Sequence, residues 1–134
     1  MCLTSILVGV LIGMSLYTFL PEMDALKKQW YSKTLAPIIE ELLKFSPIIV
    51  GFHPVFVAIG FGLFEVFVRR REKPIVLLLV LLFHTASTGI AYYYQPLGIF
   101  VAILSHYYLN RRTKVMDSIY LTAILLLLFI NKLL

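Results

Sequence analysis

Apolar runs recur along the whole chain, each about as long as one membrane-crossing helix of ~20 residues and each bounded by prolines or short clusters of Lys and Arg. That pattern leaves little room for anything but helices. The runs are Leu3–Leu20, Leu35–Gly51, Pro54–Val68, Pro74–Tyr93, Leu97–Leu109 and Val115–Ile130. Pro21, Pro37, Pro54, Pro74 and Pro96 lie at or near their ends, where a residue with fixed φ and no N–H suits a helix start or a break. Pro47 falls inside the second run and is expected to kink it, and the fifth, being short, is expected to continue through Asn110 and Arg111. Only 14% of the 134 residues are charged, against about 25% in soluble domains. The expected fold is therefore all-α: a polytopic membrane helical bundle of about six short transmembrane helices, forming a single domain over residues 1–134. Leu3–Leu20 has no Lys or Arg before it and Pro21, Glu22 and Met23 after it, so it is expected to be a retained helix rather than a cleaved signal.

The basic residues orient this bundle. Lys27, Lys28 and Lys33 fall in one connection, Arg69, Arg70, Arg71 and Lys73 in a second, and Arg111, Arg112 and Lys114 in a third, together ten of the twelve Lys and Arg residues. With six spans all three connections share one side of the membrane, while those around Phe52–His53 and Tyr94–Gln95 carry no Lys or Arg. The positive-inside rule then makes the basic loops cytoplasmic and puts both termini outside. Trp30 with Tyr31, and Tyr92–Tyr94, suit the two interfacial belts. The net charge of +5 is thus spread over orientation signals and forms no single face for nucleic acid. One cysteine, Cys2, excludes both an intrachain disulfide and a cysteine-based zinc site.

Within the apolar runs stand ionisable residues, each costly at the bilayer centre by about 2.5 kcal/mol or more and each a functional-site hypothesis by default. They are Glu40, Glu41 and Lys44 in the second run, Glu65 in the third, His84 in the fourth, and His106 with Asn110 in the fifth. Lys44 is one helical turn from both glutamates and is expected to pair with Glu41, leaving Glu40 to face the site; the reverse assignment stays open. Adjacent on a helix, Glu40 and Glu41 point about 100° apart and are not expected to share a partner. His106 and Asn110 share one face. Counted from the helix ends, Glu40, Glu65 and His106 lie at similar depth below the basic side, with His84 deeper at about 15 Å.

The ordered set Glu40-Glu-x-x-Lys44, Phe61-x-x-x-Glu65, His84 and His106-x-x-x-Asn110 resembles the PrsW-like branch of the CAAX-protease and bacteriocin-processing superfamily, over a motif-bearing core of about residues 35–112. The resemblance implies a membrane-embedded endopeptidase cutting near the cytoplasmic face. It implies that Glu40 activates water and that His106 and Asn110 hold the oxyanion. The better understood type II CAAX prenyl endopeptidases read EExxxR, FxxxH and HxxxN. Here Lys44 stands one residue before their Arg, and Glu65 replaces the second motif's His, which makes Glu65 either a second base or a structural partner. His84 offers the imidazole missing from that position. The superfamily also has relatives that have lost catalysis and serve as scaffolds.

The candidate catalytic residues are therefore Glu40, Glu41, Glu65, His84, His106 and Asn110, with no cofactor required. Peptide hydrolysis needs an activated water, stabilisation of the tetrahedral oxygen and a proton for the leaving amine, and Glu, His and Asn supply all three. A zinc-dependent protease is the competing mechanism, with Glu40, His84 and His106 as ligands of suitable type but without HExxH spacing. A proton-coupled transporter and a non-catalytic scaffold are the alternatives from other classes. Expected partners are a membrane-associated peptide or protein substrate and the lipid bilayer. A homo-oligomer would help so short a chain to enclose a site.

Overall fold

The computed structural model describes residues 1–27, 34–111 and 115–134, with the backbone alone over 19–27. Lys28, Lys33, Arg112 and Lys114, the aromatic pair Trp30 and Tyr31, and the side chain of Lys27 lie outside the described residues. Among those described there are six α-helices and no strand: α1 (Cys2–Lys27), α2 (Ala36–Phe45), α3 (Pro54–Val68), α4 (Pro74–Tyr93), α5 (Leu97–Arg111) and α6 (Val115–Leu133). The all-α expectation holds.

Helices α3 and α4 match the apolar runs that predict them, and α5 continues through Asn110 to Arg111 as expected. Pro54 and Pro74 sit in the first turns of α3 and α4, where a missing N–H costs nothing because it would have no intrahelical partner. The first and second runs depart from expectation. Helix α1 runs through Pro21 to Lys27, so Pro21 does not end it. Helix α2 stops at Phe45, and the chain continues from Ser46 to Val50 as a 3-10 segment containing Pro47. Pro47 thus ends the α-helix instead of kinking it, because a proline supplies no N–H to an earlier carbonyl. Gly51 closes the segment with φ +85°, a left-handed conformation that glycine adopts without a Cβ penalty.

That break shortens the second expected span. Ten residues of α-helix rise about 15 Å, half of a ~30 Å hydrocarbon core. By length and composition α4 and α6 are each able to cross a membrane; α3 and residues 2–18 of α1 are apolar over shorter lengths.

Helix α3 lies between α1 and α4, α4 also packs on α5 and α6, and α2 crosses α3, α4 and α5. Gly9 on α1 meets the Val57 carbonyl, and Gly60 on α3 meets the Ile6 carbonyl. A Cβ at either position would overlap backbone, so the two glycines set how closely these helices approach. Phe83, Ala86 and Ile90 of α4 form an apolar core with Leu125 and Phe129 of α6.

Polarity is distributed inside out. Glu40, Glu41, Lys44, Glu65, His84 and His106 are all buried, Lys44 to 0% exposure. Meanwhile Leu3, Leu7, Leu11 and Met14 form an exposed stripe on α1, and Ile124, Leu127, Leu128 and Ile130 are exposed on α6.

Candidate functional site

The buried charges form one continuous chain of hydrogen bonds and ion pairs contributed by four helices. On α2, Lys44 Nζ lies 2.5 Å from Glu41 Oε1, the pairing expected from their spacing. The same ammonium lies 2.9 Å from His84 Nδ1 on α4. His84 Nε2 lies 2.5 Å from Glu65 Oε2 on α3, and Glu65 Oε1 takes Arg69 Nη2 at 2.7 Å. On the other side of Glu41, Oε1 accepts from His106 Nδ1 of α5 at 3.0 Å, and His106 Nε2 faces Glu40 Oε2 at 3.4 Å.

Donor and acceptor rules fix most of the protons. An ammonium only donates, so His84 Nδ1 accepts from Lys44 and His84 Nε2–H donates to Glu65. His84 is therefore a neutral imidazole held in one tautomer. His106 is different, because it has a carboxylate on each side. A carboxylate only accepts, so one proton must lie on His106 Nε2 or on Glu40, and the pair shares it.

Aromatic rings wall the chain. Phe61 stands edge-on to His84 at 4.9 Å and beneath the Lys44 ammonium at 5.2 Å. Phe83 packs against His84 at 5.6 Å and His106 at 5.4 Å, and the two imidazoles are 5.3 Å apart. Ring faces carry negative potential, so Phe61 favours the cation above it.

A cleft of about 450 Å³ meets this cluster. Its polar wall is Glu65, Arg69, Glu72, His84, His106 and Asn110; Val80, Phe83 and Leu109 are among its apolar residues, and Ser118 and Thr122 bring α6 to its edge. Glu40 and Glu41 are not among the lining residues and stand behind His106.

Five of the six candidate residues are thus joined directly or through Lys44: Glu40, Glu41, Glu65, His84 and His106. Asn110 lines the cleft one turn beyond His106. Three expectations change. Glu40 and Glu41 do share a partner, because an imidazole presents nitrogens on two edges and fits between side chains that diverge. His84 is not set apart by depth: it bonds directly to Glu65 and Lys44, and counting from helix ends assumes untilted helices with aligned ends. The three groups whose ligand atoms converge, all within 4.8 Å of one another, are Glu41, His84 and His106, with Glu41 in place of the expected Glu40.

Arg69 was legible only as an orientation signal, yet it anchors Glu65 and also hydrogen-bonds Tyr17 of α1. Its i,i+4 spacing from Glu65 was the available signal. No protein-family model, curated protein or solved structure matches this chain.

Proposed function

We propose that the chain is an integral membrane endopeptidase with six short spans, the second made of α2 and its 3-10 extension over residues 36–50, the basic loops cytoplasmic and both termini outside. The inside-out polarity supports a lipid environment: charged groups are gathered in the interior, and leucines face outward. Such residues in a membrane protein face the bundle interior and pair with one another.

The observation that carries the catalytic reading is that His106, buried between two carboxylates, also opens on the cleft. Glu40 is the base. A water resting against the Glu40–His106 pair loses its proton to that pair as its oxygen attacks the scissile carbonyl. Glu40 keeps the proton taken from water while His106 passes the one already shared on its Nε2 to the leaving amine, so the pair gives up one proton for the one it takes. The Asn110 amide, one turn on along α5, donates to the developing oxyanion. In this geometry His106 is a proton carrier, whereas the family resemblance implies an oxyanion donor. Glu41, Lys44, His84 and Glu65 position the pair. The substrate is a membrane-associated peptide or protein segment.

Incubating the purified protein with a peptide library in detergent, and reading products by mass spectrometry, tests this. Cleavage by the native chain that is lost in Glu40→Gln and in folded His106→Ala is the expected result. Cleavage retained in Glu40→Gln would overturn it.

A second reading has its own support. Both oxygens of Glu65 are engaged, by His84 and by Arg69, as in a polar lock that holds helices together. In that reading the chain is a scaffold gripping a partner's helix, and Glu40→Gln keeps full function in the host cell.

A further inference from the structure

The Lys44 ammonium contacts two of the three groups, Glu41, His84 and His106, whose ligand atoms converge within 4.8 Å of one another. It is completely buried, 2.5 Å from Glu41 Oε1 and 2.9 Å from His84 Nδ1, and His106 Nδ1 reaches the same Glu41 oxygen at 3.0 Å. One carboxylate and two imidazoles are a ligand set found in catalytic zinc sites, with bonds of about 2.0–2.2 Å. Around a tetrahedral ion with such bonds, donor atoms are about 3.3 Å apart, close to the Glu41–His106 separation. Drawing Glu41 and His84 from their present distances to zinc-bond lengths takes movements of only about 0.5–0.8 Å.

A second observation also points to a cation. Glu41 Oε2 is buried and has no hydrogen-bond partner among the described residues. A buried carboxylate oxygen left so is unfavourable unless something positive or protic meets it.

We infer that Glu41, His84 and His106 form a cation site whose resident cation is the Lys44 ammonium. The native chain therefore excludes divalent metal from its centre, and removing the ammonium opens the triad to zinc. Lys44 supplies the positive charge that orients Glu41 and His84, and His84 keeps its Nδ1 lone pair directed at a cation in both forms. This assignment is independent of whether the chain cleaves peptides.

Untagged native protein, His84→Ala, Lys44→Ala, Lys44→Ser and Lys44→Ala/His84→Ala are each dialysed against zinc in detergent, both as purified and after refolding with zinc present. Metal content is read by atomic emission, and coordination by visible absorption of cobalt-loaded samples. The expected result is no bound zinc in the native chain and about one per chain in Lys44→Ala or Lys44→Ser, with tetrahedral cobalt absorption. The double variant is expected to lose both signals. Stoichiometric zinc in the native chain that His84→Ala removes would overturn the inference. So would the absence of zinc from both single variants under either preparation.

Discussion

His84 Nε2 donates to Glu65 Oε2 across 2.5 Å and so fastens α4 to α3 within the buried centre. Because His84 Nδ1 accepts from Lys44, the same ring also ties α2 to this pair. One imidazole therefore satisfies a buried carboxylate and a fully buried ammonium. Such a group contributes by meeting the remaining hydrogen-bonding needs of two charges whose ion-pair partners lie elsewhere, Glu41 for Lys44 and Arg69 for Glu65.

His84→Ala is accordingly expected to destabilise the fold by about 2–6 kcal/mol, about 1–3 for each of the two buried charged groups left short of a hydrogen bond. Arg69 binds the other oxygen of Glu65, but its side chain is 43% exposed. Water replaces it readily, so Arg69→Ala is expected to cost only about 0.2–1 kcal/mol. Denaturation of both variants in detergent measures the difference. Equal losses would mean that the Glu65–His84 pair is not the structural link described.

The α1–α3 contact gives a prediction outside the polar chain. Gly60 faces the Ile6 carbonyl too closely for any side chain. Gly60→Leu is expected to push the helices apart at a cost of at least the ~1–3 kcal/mol of core overpacking. Gly51, by contrast, has open space around it and a positive φ, so Gly51→Ala is expected to cost about 0.5–2 kcal/mol through backbone strain alone. Thermal unfolding of the two variants checks the order.

Where local chemistry decides structure, the sequence was readable. Pro54 and Pro74 mark helix starts, and the apolar runs between breakers give α3 and α4 their observed ends. The Glu41–Lys44 pair follows from i,i+3 spacing alone. What spacing does not contain is the relative placement of helices. Whether His106 approaches α2 along one edge or between two side chains depends on how α5 crosses it. For that reason a shared partner for Glu40 and Glu41 was not foreseen. Arg69 was obscured differently: one residue carries both an orientation charge and a buried anchor, and the basic run around it hid the second role. The end of α2 at Phe45 was hidden because Pro47 signals a break without saying whether the helix kinks or stops.

Glu40 and Glu41 are neighbours in sequence with different partners, so their amide variants should separate. Glu41 accepts from both Lys44 and His106, and Glu41→Gln removes the counter-charge of a fully buried ammonium. It is expected to lower stability by about 3 kcal/mol or more. Among the described residues Glu40 pairs with the far edge of His106, at 3.4 Å, and Glu40→Gln is expected to keep the fold. If the proposed function is right, it lowers the cleavage rate by about 10²–10⁴-fold, as loss of a general base does. Paired melting curves and rate measurements on the two variants decide the assignment. A stable, inactive Glu41→Gln beside an active Glu40→Gln would exchange their roles.

The orientation is testable at a single helix. Helix α4 is one of the two long enough and apolar enough to cross a membrane, and it joins the basic turn 69–73 to the uncharged turn at Tyr94–Gln95. If α4 crosses, those turns lie on opposite sides whatever the other helices do. The four basic residues of the first turn then place it in the cytoplasm. Arg71 and Gln95 are both exposed, and with Cys2 replaced by Ser a single cysteine at either position reports its side. A membrane-impermeant thiol reagent is expected to label Gln95→Cys in intact cells and Arg71→Cys only after the membrane is opened. The reverse pattern would invert the topology and put the cleft on the outer face. Labelling both positions in intact cells would take α4 out of the membrane, and with it the lipid setting on which the proposed substrate depends.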